Sequence, residues 1–413
     1  MNTVKLGEEN VAEVILGQSP PSSAYNGTGH GLPFFQGKAD FGLLHPIPRV
    51  WCDAGQKFAQ AGDVLMSVRA PVGDVNVATG DCVIGRGIAA IRAGTRSNPW
   101  FLYFTLAYSK STLESRATGS TFASVNKATL VDLDIPLPEM PEQVAIGAVL
   151  RRITEKIEQE NVLITTAQDI KRVSMRELFT RGLRGEPQKE TEIGPVPESW
   201  DVVSLSEAAV LERGRFLHRP RNDPRFYCGK VPFIQTGDVV RAAGHIREYS
   251  QTLNEQGVAI SRVFSAGTIL ITIAANIGFS GILEMDAACP DSLVAISPSD
   301  ELNNRFLHYY LQTQQSRMDS EAPKGTQKNI NIQFLSPWPV PIPTLNEQRD
   351  IVAILDAIDR KIDLHRKKRV TLEELFKTLL HKLMTGEIRV GDLDLSALDP
   401  PRMALAAPVF SNP

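Results

Sequence analysis

Apolar residues recur in alternating steps of four and three over two long stretches of the chain. The first stretch keeps this spacing at Ile146, Leu150, Ile153, Ile157, Ile164, Ala167 and Leu178, with polar breaks at Glu160, Lys171 and Ser174. The second keeps it at Ile351, Leu355, Ile358, Ile362, Leu372, Phe376, Leu379 and Leu383, with polar breaks at His365 and Arg369. This heptad pattern predicts two long amphipathic helices, each of about 40 residues and about 60 Å.

The two helical stretches belong to an internal repeat with a shift of 205 residues. Between 135–180 and 340–385, thirteen of 46 aligned positions are identical, where average composition gives roughly three. The same shift aligns residues 62–65 with 267–270. The sequence therefore predicts two copies of one unit, each a globular part followed by a long helix.

Short apolar runs punctuated by glycine and aspartate lie ahead of each helix, for example VLMSV at 64–68 and TILITIA at 268–274. They predict a mixed α/β fold with irregular strands in both globular parts. We expect a first domain over 1–138, a helix over 139–182, a linker over 183–200, a second domain over 201–343, a helix over 344–386 and a disordered tail over 387–413.

An exposed apolar stripe of this length needs a partner, and the other copy supplies one. We expect the two helices to pair as an antiparallel coiled coil. That pairing would separate the two globular domains and relate them by an approximate two-fold rotation.

The 413-residue chain is long enough for two or more domains, with 42% hydrophobic and 22% charged residues. The opening MNTVKLGEEN lacks the basic and apolar regions of a secretory signal, so we expect a cytoplasmic protein. The four cysteines are scattered without zinc-ligand spacing, and buried free thiols are the expectation. No GxxxxGK[ST] or HExxH motif occurs, so we expect no catalytic residue and no metal site.

Basic residues cluster in one short stretch, although the net charge of the chain is -3. The cluster contains Arg213, Arg215, Arg219, Arg221, Arg225 and Lys230, and within the stretch only Asp223 opposes it. Phosphate neutralisation usually supplies most of the affinity of DNA-binding proteins, so this cluster is a candidate for phosphate or base contact. A solvated basic loop remains the alternative.

A P-x-P-x-x-x-EQ motif precedes each helix, and the segment TEIGPVPESW precedes the second domain. The motif residues are Pro136, Pro138, Glu142 and Gln143 in the first copy and Pro341, Pro343, Glu347 and Gln348 in the second. Together with the duplication, these features resemble the specificity subunit of type I restriction-modification systems, over residues 1 to about 390. One departure is that the first copy begins near Leu6 without a GPVPESW lead.

The resemblance implies that each globular part is a target recognition domain reading one half of a bipartite, asymmetric site in double-stranded DNA. The helices, at the central and C-terminal conserved regions, would fix the gap and dock the partners. Those partners would be two modification (methyltransferase) subunits, which carry S-adenosylmethionine, and restriction subunits that use ATP and Mg²⁺. None of these cofactors would bind to this chain.

Polar loop residues are the candidate base readers, because arginine and lysine pair with guanine and glutamine and asparagine with adenine. Besides the arginines, the candidates are Gln36, Lys38, Ser120, Thr121, Lys127, Gln235, Thr236, Lys324, Gln327, Lys328 and Asn329. Asn126 and Asn331 match between the copies, which favours a shared structural role for them. A solvated polar loop is the alternative for each individual candidate.

Two other functions compete with DNA recognition. One is a coiled-coil scaffold whose two heads bind proteins. The other is a self-contained methyltransferase or nuclease, against which the missing cofactor motifs argue.

Overall fold

The computed structural model of the protein describes residues 2–118, 123–242, 244–323 and 328–393. The chain divides into two compact units, one comprising Met1–Ile164 with His365–Pro413 and the other Thr165–Leu364. Each unit therefore contains one half of each long helix.

The first unit is a small α/β domain. Its strands are β1 (Thr3–Lys5), β2 (Ala12–Leu16), β3 (Tyr25–Asn26), β4 (Leu32–Phe35), β5 (Trp51–Cys52), β6 (Phe58–Ala59), β7 (Val64–Ser67), β8 (Val75–Val77), β9 (Cys82–Ile84), β10 (Ile88–Ala93) and β11 (Asp134–Pro136). Its short helices are α1 (Pro99–Tyr108), α2 (Lys110–Arg116) and α3 (Lys127–Val131), followed by the long helix α4 (Met140–Arg181). The described strands form sheets of order β2-β10-β7-β8, β3-β5-β4-β9-β6 and β1-β11.

The second unit repeats this plan with additions. Its strands are β12 (Gln188–Thr191), β13 (Gly194–Pro197), β14 (Asp201–Ser204), β15 (Ala209–Arg213), β16 (Tyr227–Phe233), β17 (His245–Ile246), β18 (Gln251–Leu253), β19 (Val263–Phe264), β20 (Ile269–Thr272), β21 (Ser280–Leu283), β22 (Ala287–Ala288), β23 (Leu293–Pro298) and β24 (Pro339–Ile342). Its helices are α5 (Leu205–Ala208), α6 (Thr236–Arg241), α7 (Glu255–Ala259), α8 (Asn304–Glu321), α9 (Ile332–Leu335) and α10 (Leu345–Thr385). The described strands form sheets of order β15-β23-β20-β21-β17, β18-β16-β22-β19, β14-β24 and β12-β13.

The duplication predicted from the sequence is confirmed as a duplicated fold. Strands β7 and β20 begin 205 residues apart, as do β10 and β23. In the main sheet of each unit, β10 lies between β2 and β7 just as β23 lies between β15 and β20. The two copies therefore share one strand order.

The heptad positions pack the long helices together inside each unit. In the first unit, Ile146 and Leu150 of α4 are fully buried in one core with Leu383 of α10. In the second unit, Ile351 of α10 is fully buried in a core against which Leu178 of α4 packs. The predicted apolar seam is therefore used in both units.

The helix halves run antiparallel within each unit. In the first unit, Glu142 near the start of α4 accepts a hydrogen bond from the backbone N–H of Val390, beyond the end of α10, at 3.4 Å. In the second unit, Glu347 near the start of α10 accepts one from the backbone N–H of Leu183, just beyond the end of α4, at 3.1 Å. The start of each helix thus lies beside the end of the other.

Several polar breaks of the seam contact charged side chains on the other helix. Buried Glu160 contacts His365 and Lys368 of α10, with each pair of atoms 2.6 Å apart. In the second unit, the Lys171 ammonium lies 2.8 Å from the Asp359 carboxylate. Three of the five polar breaks, Glu160, Lys171 and His365, therefore make ionic contacts between the helices.

The glutamine of each P-x-P-x-x-x-EQ motif joins a long helix to its domain. Gln143 accepts a hydrogen bond from the backbone N–H of Asn98 at 2.8 Å and donates to the Arg96 and Pro138 carbonyls, both at 2.9 Å. Gln348 repeats this network with Asn303 at 2.7 Å and with the Glu301 and Pro343 carbonyls, both at 2.9 Å. Because both glutamines are buried, the motif is a structural joint.

Several expectations need correction. The predicted linker over 183–200 is instead the β12–β13 hairpin, with Val196 and Trp200 buried in the core of the second unit. The expected tail is ordered at its start, because Val390 is buried and Val390–Asp392 form a 3-10 turn; residues 394–413 lie outside the described part. Cys228 is exposed, whereas the other three cysteines are buried.

Across the described ranges, no helix is both long and apolar enough to cross a membrane. Likewise, no group of three or more histidine, cysteine or acidic side chains in those ranges could hold a metal ion.

Candidate nucleic-acid interface

In both units, the glycine that follows the edge strand of the main sheet hydrogen-bonds to the first residue of the neighbouring strand. We call this close approach of the two segments the crossing. The N–H of Gly17 donates to the Ile88 carbonyl, and the N–H of Gly214 donates to the Leu293 carbonyl, each at 2.9 Å. A Cβ on Gly17 would lie 2.3 Å from the Gly85 carbonyl oxygen, so only glycine fits this crossing. The segments beside the crossings are therefore equivalent. We call residues 85–87 the first tip and residues 290–292 the second tip.

The second tip gathers predicted arginines. Arg219 donates to one Asp291 carboxylate oxygen at 2.8 Å and Arg221 donates to the other, while Arg213 donates to the Asp291 carbonyl at 2.7 Å. Thr236 also reaches this tip, with its hydroxyl 3.3 Å from that of Ser292. The structure thus brings four of the predicted site residues to one loop.

Asp291 changes the electrostatic prediction for this cluster. Asp223 is the only acidic residue within the arginine-rich stretch, but Asp291, far outside it in the sequence, pairs with two of the arginines. The group keeps a net positive charge, since three guanidinium groups lie beside a single carboxylate, which two of them contact. The Arg219 and Arg221 side chains remain 50% and 40% exposed, so a ligand can still reach them.

The other arginines of the cluster have separate partners. Arg225 lies 2.7 Å from Asp223, and its hydrogen bonds lower the pKa of that carboxyl to about 2 against the opposing effect of desolvation. The pair is therefore fully charged at neutral pH. Arg215 donates to the Ser261 carbonyl at 2.9 Å. Lys230 is exposed and, with Arg225, lines a groove of about 990 Å³ beside α7.

The two predicted glutamines occupy equivalent strand ends. Gln36 is exposed after β4, and its backbone N–H donates to Asp40 at 2.7 Å. Gln235 is half-buried after β16, and its backbone N–H donates to Asp238 at 2.8 Å. The Gln235 side chain also donates to that of Gln251 at 3.1 Å, so it is less free than the side chain of Gln36.

Among the predicted lysines that the structure describes, two form ion pairs. Lys38 lies 2.8 Å from Asp74, and Lys328 lies 2.8 Å from Asp319. Lys127 is exposed at the first position of α3. Lys38 and Lys328 are therefore partly neutralised within the chain.

A polar segment before α9 reaches the same region of the second unit. The backbone N–H of Ile330 donates to the Ile273 carbonyl at 2.9 Å, and the backbone N–H of Ile273 donates to the Ser292 carbonyl at 3.2 Å. Asn329 is exposed on this segment, beside Ala274. The remaining predicted residues Ser120, Thr121, Lys324 and Gln327 lie outside the described residues.

Asn126 and Asn331 have the shared structural role that their match favours. Each is the N-cap of a short helix, and its side-chain oxygen accepts a backbone N–H three residues later at 2.9 Å. They are caps in equivalent places, which explains why the two copies agree there.

Sequence reasoning missed Asp291 and its counterpart Arg86. The shift of 205 residues places these two at equivalent positions, and that relation was available from the sequence. Neither residue lies in a cluster of like charges along the chain, so local charge patterning does not identify them.

Two copies of a sheet-rich unit, sharing a pair of long helices and each carrying arginines near the same tip, define a duplicated α/β recognition protein without a metal cluster in its described residues. The sequence matches the family described as "Type I restriction modification DNA specificity domain" over residues 53–167 and 197–374. The chain belongs to this family.

Relatives in the same family come from archaea and bacteria. The chain is 40% identical over 182 residues to a putative type I restriction enzyme MjaX specificity subunit of Methanocaldococcus jannaschii, covering 44% of this chain and 43% of that protein. It is 28% identical over 307 residues to the MjaVIII specificity subunit of the same organism, covering 71% of each chain. The first match thus spans less than half of that relative.

Two solved structures share the fold. The crystal structure of the type I S subunit from M. genitalium superposes with a TM-score of 0.63 at 18% identity, covering 93% of this chain and 96% of that one. A chain from a study of assembly and conformational transition of the type I R-M system gives a TM-score of 0.57 at 19% identity, with 94% and 98% covered. These likenesses confirm the predicted α/β fold with paired long helices.

Specificity subunits are the non-catalytic, DNA-recognition subunits of type I complexes, and the family carries no cofactor. S-adenosylmethionine and ATP belong to the modification and restriction subunits.

Proposed function

We propose that this chain is the sequence reader of a type I restriction-modification complex, with each unit reading one half of a bipartite, asymmetric DNA target. The observation that carries the proposal is the pair of equivalent tips, each with an arginine at or beside it, in a chain of this family. Arginine reads guanine with two hydrogen bonds, and two heads on one chain gain from effective concentration.

The paired helices would fix the number of base pairs between the half-sites. They would also dock two modification subunits, with restriction subunits joining through them in the cytoplasm. The net charge of -3 fits this arrangement, because modification subunits enclosing the duplex can neutralise phosphates while this chain contacts base edges.

The first prediction tests the arginines of the second tip. Arg219→Ala with Arg221→Ala should weaken DNA binding by the assembled complex about tenfold or more, since each direct contact contributes roughly 1–3 kcal/mol. The measurement is a binding titration at several salt concentrations with the reconstituted complex.

Arg317→Ala is the matched control, because Arg317 is 41% exposed but pairs with Glu321 on α8, and it should leave binding unchanged. Unchanged affinity and salt slope in the double variant would refute the role of these arginines. Mapping methylated adenines with the wild-type complex tests the function itself. A bipartite motif supports it, and methylation without sequence preference contradicts it.

A further inference from the structure

The first tip presents an arginine, Arg86, that is not among the residues predicted from the sequence to contact DNA. Arg86 lies between Gly85 and Gly87 in the turn from β9 to β10, and its side chain is exposed. In the part of the chain that the structure describes, no carboxylate pairs with its guanidinium. By contrast, Arg92 and Arg96 of the same domain pair with Asp63 and Glu8 at 2.8 and 2.7 Å.

The backbone that carries Arg86 is fixed from several sides. The N–H of Gly85 donates to the Phe35 carbonyl at 2.8 Å, and the N–H of Arg86 donates to the Ser19 hydroxyl at 3.1 Å. The Gly87 carbonyl accepts from the N–H of Val68 at 2.9 Å. The position of the Arg86 Cα is therefore set before any ligand binds, which favours specific recognition.

The first tip packs closely against Gln36, one of the residues predicted to contact bases. A Cβ on Gly87 would lie 2.3 Å from the Gln36 carbonyl oxygen, and a Cβ on Gly85 would lie 3.2 Å from its Cα. Glycine is required at position 87 for this approach, whereas a Cβ at position 85 would force its neighbours to shift by a few tenths of an ångström. Arg86 and Gln36 thus lie on adjoining segments of one exposed surface.

The second unit supplies the comparison. Position 291, equivalent to 86, is an aspartate that holds Arg219 and Arg221 by ion pairs. Both units therefore have guanidinium groups at the same place in the fold. In the first unit the arginine is part of the tip itself, whereas in the second unit the tip binds arginines from a neighbouring loop.

We propose that Arg86 is a specificity-determining residue that reads a guanine in the half-site of the first domain. The proposal rests on the proposed function. An exposed guanidinium without a carboxylate partner has both N–H edges available for the O6 and N7 atoms of guanine. A phosphate contact would instead add affinity without sequence preference.

The test uses the full chain assembled with its modification subunits and maps methylated adenines by long-read sequencing. Arg86→Ala should reduce the base preference at one position of one half-site. The ratio of the methylation rate on the original site to that on sites substituted at this position should fall at least tenfold. Arg86→Gln should move the preference at that position from guanine towards adenine, because glutamine pairs with adenine. The other half-site should not change in either variant.

Arg96→Ala is the control, an exposed arginine of the same domain at the far end of β10. It should leave the motif unchanged, and thermal melting should show all three variants folded. An unchanged motif in Arg86→Ala and Arg86→Gln overturns the proposal while the proposed function stands. Equal loss on every sequence, as for a phosphate contact, also overturns it. A wild-type complex without a bipartite motif overturns both.

Discussion

At the scale of single residues, the two units share backbone contacts and helix caps but differ in the side chains that they expose. Gly17 and Gly214 make the same crossing, and Asn126 and Asn331 cap equivalent helices. Between these fixed points, exposed positions differ in charge, as at the two tips. A frame that stays constant while its exposed side chains vary is what reading two different sequences requires.

Asn331 and Asn329 lie two residues apart, but we expect a structural role for Asn331 and a role in DNA recognition for Asn329. Asn331→Ala removes the cap of α9 and should lower the free energy of unfolding by about 1 kcal/mol without altering the methylation motif. Asn329→Ala, at an exposed position, should leave stability unchanged and alter the second half-site. Urea unfolding and motif mapping measure the two effects. The assignment fails if the two variants behave alike.

At the scale of elements, the long heptad patterns and apolar strands such as β7 and β20 were predictable from the sequence, whereas a polar hairpin was not. Helices α4 and α10 begin and end within one residue of the predicted bounds, because their heptad pattern extends over some forty residues and ends at glycine. The β12–β13 hairpin escaped prediction, since its local sequence is rich in glycine, proline and charge. Its order comes from burying Val196 and Trp200 against distant residues.

The contact of Glu160 with His365 and Lys368 makes the helix pairing depend on pH. Burial alone would raise the pKa of Glu160, but the ion pairs with Lys368 and His365 outweigh burial and lower it. A carboxyl whose pKa is lower in the folded state stabilises the protein above its ordinary pKa of 4.5 and loses that effect as the pH falls through the lowered value.

Glu160→Gln should therefore cost about 2 kcal/mol of stability at pH 7, where two charge-assisted hydrogen bonds are lost. The difference from the wild type should shrink below about pH 4 as the wild-type carboxyl protonates. Chemical unfolding at both pH values measures it. Glu158→Gln, at an exposed site on the same helix, is the control. A difference that is constant with pH would contradict this account.

At the scale of the whole molecule, the sequence predicted the repeat and the arginine cluster but not what the cluster contacts. Arg219 and Arg221 meet Asp291 some seventy positions further along the chain, and only the folded sheet brings them together. The equivalence of Arg86 and Asp291 lay within reach of the 205-residue shift. Only the structure of the two tips shows that guanidinium groups lie at both of these equivalent positions.

A matched insertion tests the spacer role of the helices. Seven residues added to each helix, after Ile164 and after Leu364, keep the heptad register and lengthen each helix by about 10.5 Å. At about 3.4 Å per base pair, the gap in the methylated motif should grow by about three base pairs, with both half-sites unchanged. A motif with the original gap, made by a folded and active complex, would rule out this role. Insertion of seven residues into the β12–β13 turn is the control.

Because each unit contains one half of each long helix, the core of the first unit is completed only late in translation. The core of the first domain includes Leu379, Leu383 and Val390, which leave the ribosome about two hundred residues after the rest of that domain. Translation adds roughly 5–20 residues per second, so the nascent first domain lacks these core residues for about ten to forty seconds. Its apolar surface stays uncovered throughout that delay, so chaperone demand should be highest late in translation.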